Sequence, residues 1–266
     1  MLIIGERINS TRRSVQALIT SHDAPAILKA AKEQLDAGAD LIDINCAMGS
    51  GDELADMDWV MNVIQGGFRD ASICIDSPNH LAIDKALTAY KGKGRIMLNS
   101  ISGEEERIRH ILPLAVKRKA KLVALTMNDK GMPETAEERL MIAKDILARA
   151  VKEGMDPEDL YFDPLIRPIA TEPKQASEFL KSIPMIKGLG GVKTVCGLSN
   201  VSFGLPDRSL INAAFLAMAI HAGLDAAIMD PLDRNVISVL RASEALLGTD
   251  EYCAGYIKAF RDGRLI

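Results

Sequence analysis

The chain has 266 residues, 48% of them hydrophobic and 26% charged, with a formal net charge of −4. That length holds one or two domains, and the charge balance lacks the basic field that nucleic acid demands. No apolar run reaches the roughly 20 residues of a membrane span, and Met1-Leu-Ile-Ile-Gly-Glu6 has neither the basic start nor the cleavage site of a secretory leader.

Strand-like and helix-like stretches alternate along the chain. The first strand is Leu2–Ile8, which runs into Glu6-Arg7-Ile8-Asn9. Asp23 caps a predicted helix to about Ala37, with Pro25 in its first turn and Gly38 at its end. Leu41–Asn45 is the second strand, a helix follows at about 52–66, and Ser72–Asp76 is the third strand. A helix at 79–90 leads to the fourth strand, Arg95–Asn99. Ser102-Gly-Glu-Glu105 reads as a capping box for a helix to about 118, with Pro113 kinking it. Leu122–Met127 is the fifth strand, and Thr135-Ala-Glu-Glu138 is a second capping box before Leu140, Ala143 and Leu147. Leu160–Asp163, a helix at 173–188, Thr194–Ser199, a helix at 208–222, Ala226–Asp230 and a helix at 234–247 complete the series. The tail at 250–262 packs as one more helix. Trp59 and the methionines of Met57–Met61 read as helix packing, and Glu104–Arg109 as a solvated helix face.

Strands that are apolar throughout are buried on both faces. Eight strand–helix units in about 250 residues fit a closed (β/α)8 TIM barrel, here a single domain over 1–266. An open doubly wound sheet is the competitor. It carries a glycine-rich phosphate loop after its first strand, and Gly5-Glu-Arg-Ile-Asn-Ser-Thr11 is no such loop.

In a barrel the C-terminal strand ends open onto one face. Here they carry Glu6, Asn9, Asp43, Asn45, Asp76, Asn99, Asn128, Asp163, Asn200 and Asp230. Each alone also reads as a turn residue, and for Asp43, Asn128 and Asp230 that reading weighs as much as the functional one. Asp76, Asn99, Asp163 and Asn200 together exceed what packing needs, because carboxylates are costly to bury unpaired. Arg7, Arg167 and Arg208 are the only basic residues nearby, and no nucleophile–base pair is present. Acceptors and amides in this number match a neutral ligand edge dense in N–H groups. The 2-amino-4-oxo ring of a pterin has such an edge.

Leu2-Ile-Ile-Gly-Glu-Arg-Ile-Asn9, Cys74-Ile-Asp-Ser77, Met97-Leu-Asn-Ser100, Leu125-Thr-Met-Asn128, Tyr161-Phe-Asp-Pro-Leu165 and Gly197-Leu-Ser-Asn-Val-Ser-Phe-Gly204 resemble the pterin-binding methyltransferases. The methyltetrahydrofolate:corrinoid/iron–sulfur protein methyltransferases and the related O-demethylase components are the nearest of these. The resemblance spans essentially the whole chain. It implies a (β/α)8 homodimer that moves a methyl group between N5 of 5-methyltetrahydrofolate and Co(I) of a corrinoid. By position it also implies that Asp76, Asn99 and Asp163 hold the pterin and that Asn200 hydrogen-bonds N5. Glu6, Asn9, Asn128, Ser202 and Arg208 then lie around the site. Phe203 departs from the glutamine that iron–sulfur-protein enzymes resemble there, and Asn-Val-Ser-Phe is nearer to methionine synthase pterin domains and O-demethylase components. No Asp-x-His-x-x-Gly stretch of a cobalamin domain is present, so the corrinoid is expected on a separate partner protein.

Two alternatives remain open. A dihydropteroate synthase shares barrel and pocket, and Ser10-Thr-Arg-Arg-Ser14 mimics a site for its pyrophosphate. A non-catalytic folate-binding module is the other. Cys46, Cys74, Cys196 and Cys253 form no Cys-x-x-Cys and read as buried free thiols of a reducing cytoplasm. His22, His80, His110 and His221 show no metal spacing, so no metal is expected on this chain.

Overall fold

A computed structural model describes residues 1–266. Eight strands close into one barrel, each hydrogen-bonded in parallel to the next in sequence and the eighth to the first. They are β1 (Leu2–Asn9), β2 (Leu41–Asn45), β3 (Ile73–Asp76), β4 (Ile96–Ile101), β5 (Lys121–Leu125), β6 (Leu160–Asp163), β7 (Lys193–Gly197) and β8 (Ala226–Met229). The helices are α1 (Arg13–Thr20), α2 (Ala24–Asp36), α3 (Glu53–Gly67), α4 (His80–Ala89), α5 (Glu105–Arg118), α6 (Ala136–Lys152), α7 (Gln175–Lys187), α8 (Arg208–Ala222), α9 (Arg234–Leu246) and α10 (Ala254–Arg261). The TIM barrel expected from the alternating pattern is therefore the fold.

Every parallel strand has one side-chain set facing inward and one facing the helices. The inward set contributes one residue per strand to a central plug: Ile4, Leu41, Cys74, Met97, Val123, Tyr161, Val195 and Ala226. The outward set, with Ile42, Ile75, Leu98, Leu122 and Phe162 among it, packs beneath α1–α6. Ile3, Cys196, Ala227 and Met229 pack beneath α7–α9. This double burial is why the strands read as continuous apolar runs.

Local signals held in part. Asp23 caps α2 by accepting from the Ala26 N–H, and Thr135 with Glu138 completes the capping box of α6. The Ser102 box does not form. Its hydroxyl donates to Glu104 Oε2, and α5 begins two residues later, with Glu104 as an N-cap whose side chain accepts from no backbone N–H of the helix. Pro113 and Pro184 lie inside α5 and α7, which run past them as expected; buried apolar faces on both sides hold those helices together. Helix α1 went unforeseen because it has neither a capping side chain nor an acidic first turn. Val15 and Ile19 dock it on the barrel. Of the four thiols, Cys46, Cys74 and Cys196 are buried, while Cys253 is exposed in the turn before α10. No helix is long and apolar enough to cross a membrane.

Candidate active site

Two residues beyond the plug, the strands point inward again at Glu6, Asp43, Asp76, Asn99, Leu125, Asp163, Gly197 and Ile228. All eight line one cavity of about 600 Å³ at the C-terminal mouth of the barrel. The period of two along each strand places them there, so the polar floor is one geometric layer above an apolar one. The rim adds Asn9, Arg12, Asn200, Arg208, Asn212 and Asp230.

The acidic floor is wired together. Asn45 donates to Asp76 Oδ2 at 2.9 Å and accepts from Ser10 Oγ at 3.3 Å. Burial raises the Asp76 pKa, opposed by that amide bond and by the Arg107 guanidinium. Asp43 is only 1% exposed, and its Oδ1 meets no hydrogen-bond partner. Burial and then the neighbouring Asp76 push its pKa well up, so Asp43 keeps its proton longer than Asp76 does. Asp163 is pushed up to about 6 by burial, against the pull of the Leu165 and Gly197 N–H groups and the Arg139 charge. Glu6 is also raised by burial, although Arg12 pairs with it at 2.8 Å and Ser199 Oγ donates to it at 3.2 Å. Unmatched buried acceptors are costly. Asp43 Oδ1 and the equally orphaned Asn212 Oδ1 fit a ligand that brings N–H or O–H groups into the cavity.

Asn200 stands on the wall where β7 ends in a tight 3-10 turn, Leu198–Asn200. That turn is why the strand stops at Gly197 and not at Ser199. Arg208, the first residue of α8, staples it: Nε donates to Ser202 Oγ at 3.0 Å and an NH2 group to the Ser199 carbonyl at 2.6 Å. Gly197 leaves room beside it, since a Cβ there would come within 2.9 Å of Asn200 Nδ2.

The pterin binding enzyme family matches residues 5–230. The chain belongs to that family. A methylcorrinoid:tetrahydrofolate methyltransferase of Eubacterium limosum is 33% identical over 268 residues, covering 100% of this chain and 98% of that protein. Methionine synthase of Mycobacterium tuberculosis is 30% identical over 243 residues, but those cover 86% of this chain and only 20% of that enzyme. Among solved structures, dihydropteroate synthase of Stenotrophomonas maltophilia superposes with a TM-score of 0.69 at 17% identity over 92% of both chains. The Thermus thermophilus enzyme gives 0.63 at 18% identity, over 92% of this chain and 94% of that one. At that identity the likeness is one of fold alone.

Within the family's barrel, Glu6, Asn9, Asp76, Asn99, Asp163, Asn200 and Arg208 gather on the one cavity. Ser202 does not reach it: fully buried, it accepts the Arg208 bond from beneath the turn. Asn128 lies apart, on an adjoining cleft with Gly103 and Met132, and its Oδ1 accepts from the Lys130 N–H. Strand β5 ends at Leu125, so Leu125 takes the inward place. Arg167 is occupied elsewhere by Glu134 and Glu172. Asp43 belongs to the floor, and counting two residues on from the apolar plug finds it where turn propensity does not. Arg12 and Asn212 have no such signal, since they arrive from loop and helix. No group of three or more His, Cys, Asp or Glu side chains is arranged to hold a metal ion.

Proposed function

We propose that this chain transfers a methyl group between N5 of 5-methyltetrahydrofolate and the cobalt of a corrinoid carried by a separate protein. The observation that carries the reading is the convergence of Asp76, Asn99, Asp163 and Asn200 on one open cavity, in a chain related along its full length to an enzyme named for that substrate pair. Ionised Asp76 and Asp163 accept from the N–H edge of the pterin, and the Asn99 amide serves its mixed donor–acceptor edge. The Asn200 amide, on the wall above, meets N5.

In the direction that loads the corrinoid, the N5–CH3 bond breaks and its electron pair stays on nitrogen. Co(I) supplies the pair for the new Co–C bond, and N5 takes up a proton. Nitrogen leaves poorly, so a hydrogen bond at N5 that strengthens as the bond breaks lowers the barrier more than it stabilises the bound substrate. Asn200 supplies that bond without bringing a charge of its own. Placing the methyl in line with the approaching cobalt supplies the rest. Substitution of Asn200 by Ala is expected to cut methyl transfer to free cob(I)alamin by about 10²–10³-fold with only a small loss of folate affinity. Equal turnover in the variant removes Asn200 from the mechanism.

A dihydropteroate synthase reaction is less well supported. Its pyrophosphate needs free cations beside the first strand, whereas Arg7 is paired with Asp230 at 2.9 Å and Arg12 with Glu6.

A further inference from the structure

Arg139 is a fully buried arginine in the middle of a fold that has little reason to bury one. It projects from the start of α6 against the loop that follows β6 and touches nothing that lines the mouth except through the backbone. Its Nε donates to the Pro164 carbonyl at 2.6 Å, one NH2 group donates to Gln175 Oε1 at 2.6 Å and to the Leu165 carbonyl at 3.4 Å, and the other donates to the Glu134 carbonyl at 3.2 Å. All four acceptors are neutral oxygens. Burying a guanidinium without a directly bonded carboxylate is expensive, and an apolar side chain would fill the same space at lower cost. The fork geometry, which lysine lacks, is used here on the peptide that follows Asp163.

That peptide matters to the cavity. Leu165 sits in the left-handed region at φ +62°, which a branched side chain rarely adopts. From there its N–H donates to Asp163 Oδ1 at 2.7 Å, while its side chain lines the cavity beside Asp163. We propose that Arg139 is a positioning residue of the site, holding the Pro164–Leu165 backbone so that the Leu165 N–H keeps the Asp163 carboxyl aimed at the ligand. Its charge acts in the same sense, because it favours the ionised form of Asp163 against burial. The other titratable groups in play are few. Asp163 bears on the Cys196 thiol of β7, and Arg139 itself feels Arg167, Glu178 and Glu134.

The inference rests on the pterin reading only for the choice of ligand. The test is a carboxyl-carbon NMR titration of the full chain labelled with 13C-aspartate, with the Asp163 signal assigned by its loss in Asp163→Asn. It is run beside calorimetric binding of 5-methyltetrahydrofolate. Arg139→Lys keeps the charge and loses the fork, so the Asp163 midpoint stays near that of the wild type while affinity falls about tenfold. Arg139→Met loses both: affinity falls at least as far, and the midpoint rises by about half a pH unit or more. Gln175→Glu leaves the hub occupied and sets a carboxylate against the guanidinium, and its midpoint also rises. A folded Arg139→Met with wild-type midpoint and affinity overturns the proposal. Should that variant not fold, an unmoved midpoint in Gln175→Glu overturns it instead. A wild-type chain that binds no folate sinks the pterin reading, while the titration still decides the role of Arg139.

Discussion

Asp163 carries the plainest pH signature in the molecule. Its pKa of about 6 in the folded chain lies above the ordinary 3.8 because the carboxyl is buried. The native state therefore holds this proton more tightly than the unfolded chain does. Stability falls as pH rises from about 4 to about 6, by roughly 3 kcal/mol at ~1.4 kcal/mol per pH unit. Denaturant unfolding of the ligand-free protein across that range is expected to show the decline, and Asp163→Asn to lessen it by that amount, since Glu6, Asp43 and Asp76 are raised in the same sense. Ligand affinity is expected to run the other way, rising through pH 6 as the carboxylate forms and becomes an acceptor for ligand N–H groups. A wild-type affinity that is level between pH 5 and 7 contradicts that role. Gly197 offers a second handle at this scale. A Cβ there meets Asn200 Nδ2 at 2.9 Å, so Gly197→Ala turns the amide away from its place. Methyl transfer should fall by about tenfold or more while folate affinity changes little, since geometry at the reacting atom governs turnover.

The elements explain which sequence signals can be relied on. The Thr135 box forms because both halves of the reciprocal bond are free to meet: Glu138 accepts from the Thr135 N–H at 3.1 Å and Thr135 Oγ1 accepts from the Glu138 N–H at 3.3 Å. Thr135→Ala is expected to cost about 1 kcal/mol in chemical unfolding. Ser102-Gly-Glu-Glu105 has the same spelling and makes no box, because Ser102 is buried next to the end of β4 and spends its hydroxyl on Glu104. Ser102→Ala should therefore not show the loss of a helix cap. Strand β1 shows a different constraint. Its pairing with β2 shifts register between Gly5 and Ile8, which breaks the period of two and brings Asn9, three residues after Glu6, onto the same cavity. Gln34 of α2 steadies the shift by accepting from the Arg7 N–H at 2.9 Å, and a Cβ on Gly5 would come within 2.4 Å of that same oxygen.

At the scale of the molecule, the apolar surface is uneven. Leu246 is 87% exposed, Tyr252 90% and Phe260 69%, all within α9, α10 and the turn between them. Large exposed apolar groups in one region mark an interaction surface, and we propose a second copy of this chain as its cover. Sedimentation is expected to give twice 28.8 kDa, and Phe260→Asp to shift the mass towards the monomer. A wild-type monomer at micromolar concentration refutes the dimer. The barrel mouth lies elsewhere, with Phe203 66% exposed above it and the Arg208 guanidinium 6.0 Å from its ring. Under the proposed function it is the face that a protein-borne corrinoid approaches.

The order of the strands, every helix but α1, the closed barrel and most of the polar floor were legible in the sequence, because each depends on local spacing. Apolar runs of strand length report burial on both faces, and the residues that end them fall on one rim by topology alone. The rest depended on contacts between distant segments. Asn128 left the site because β5 stops at Leu125 and its loop turns away. Asp43 entered it because β2 points that residue inward. Ser202 proved to be a brace for Arg208, and Arg139 acts on the loop after β6 through backbone carbonyls. Side-chain direction and the depth of a charge are set when strands close and helices cover them, and no stretch of sequence read alone contains that geometry.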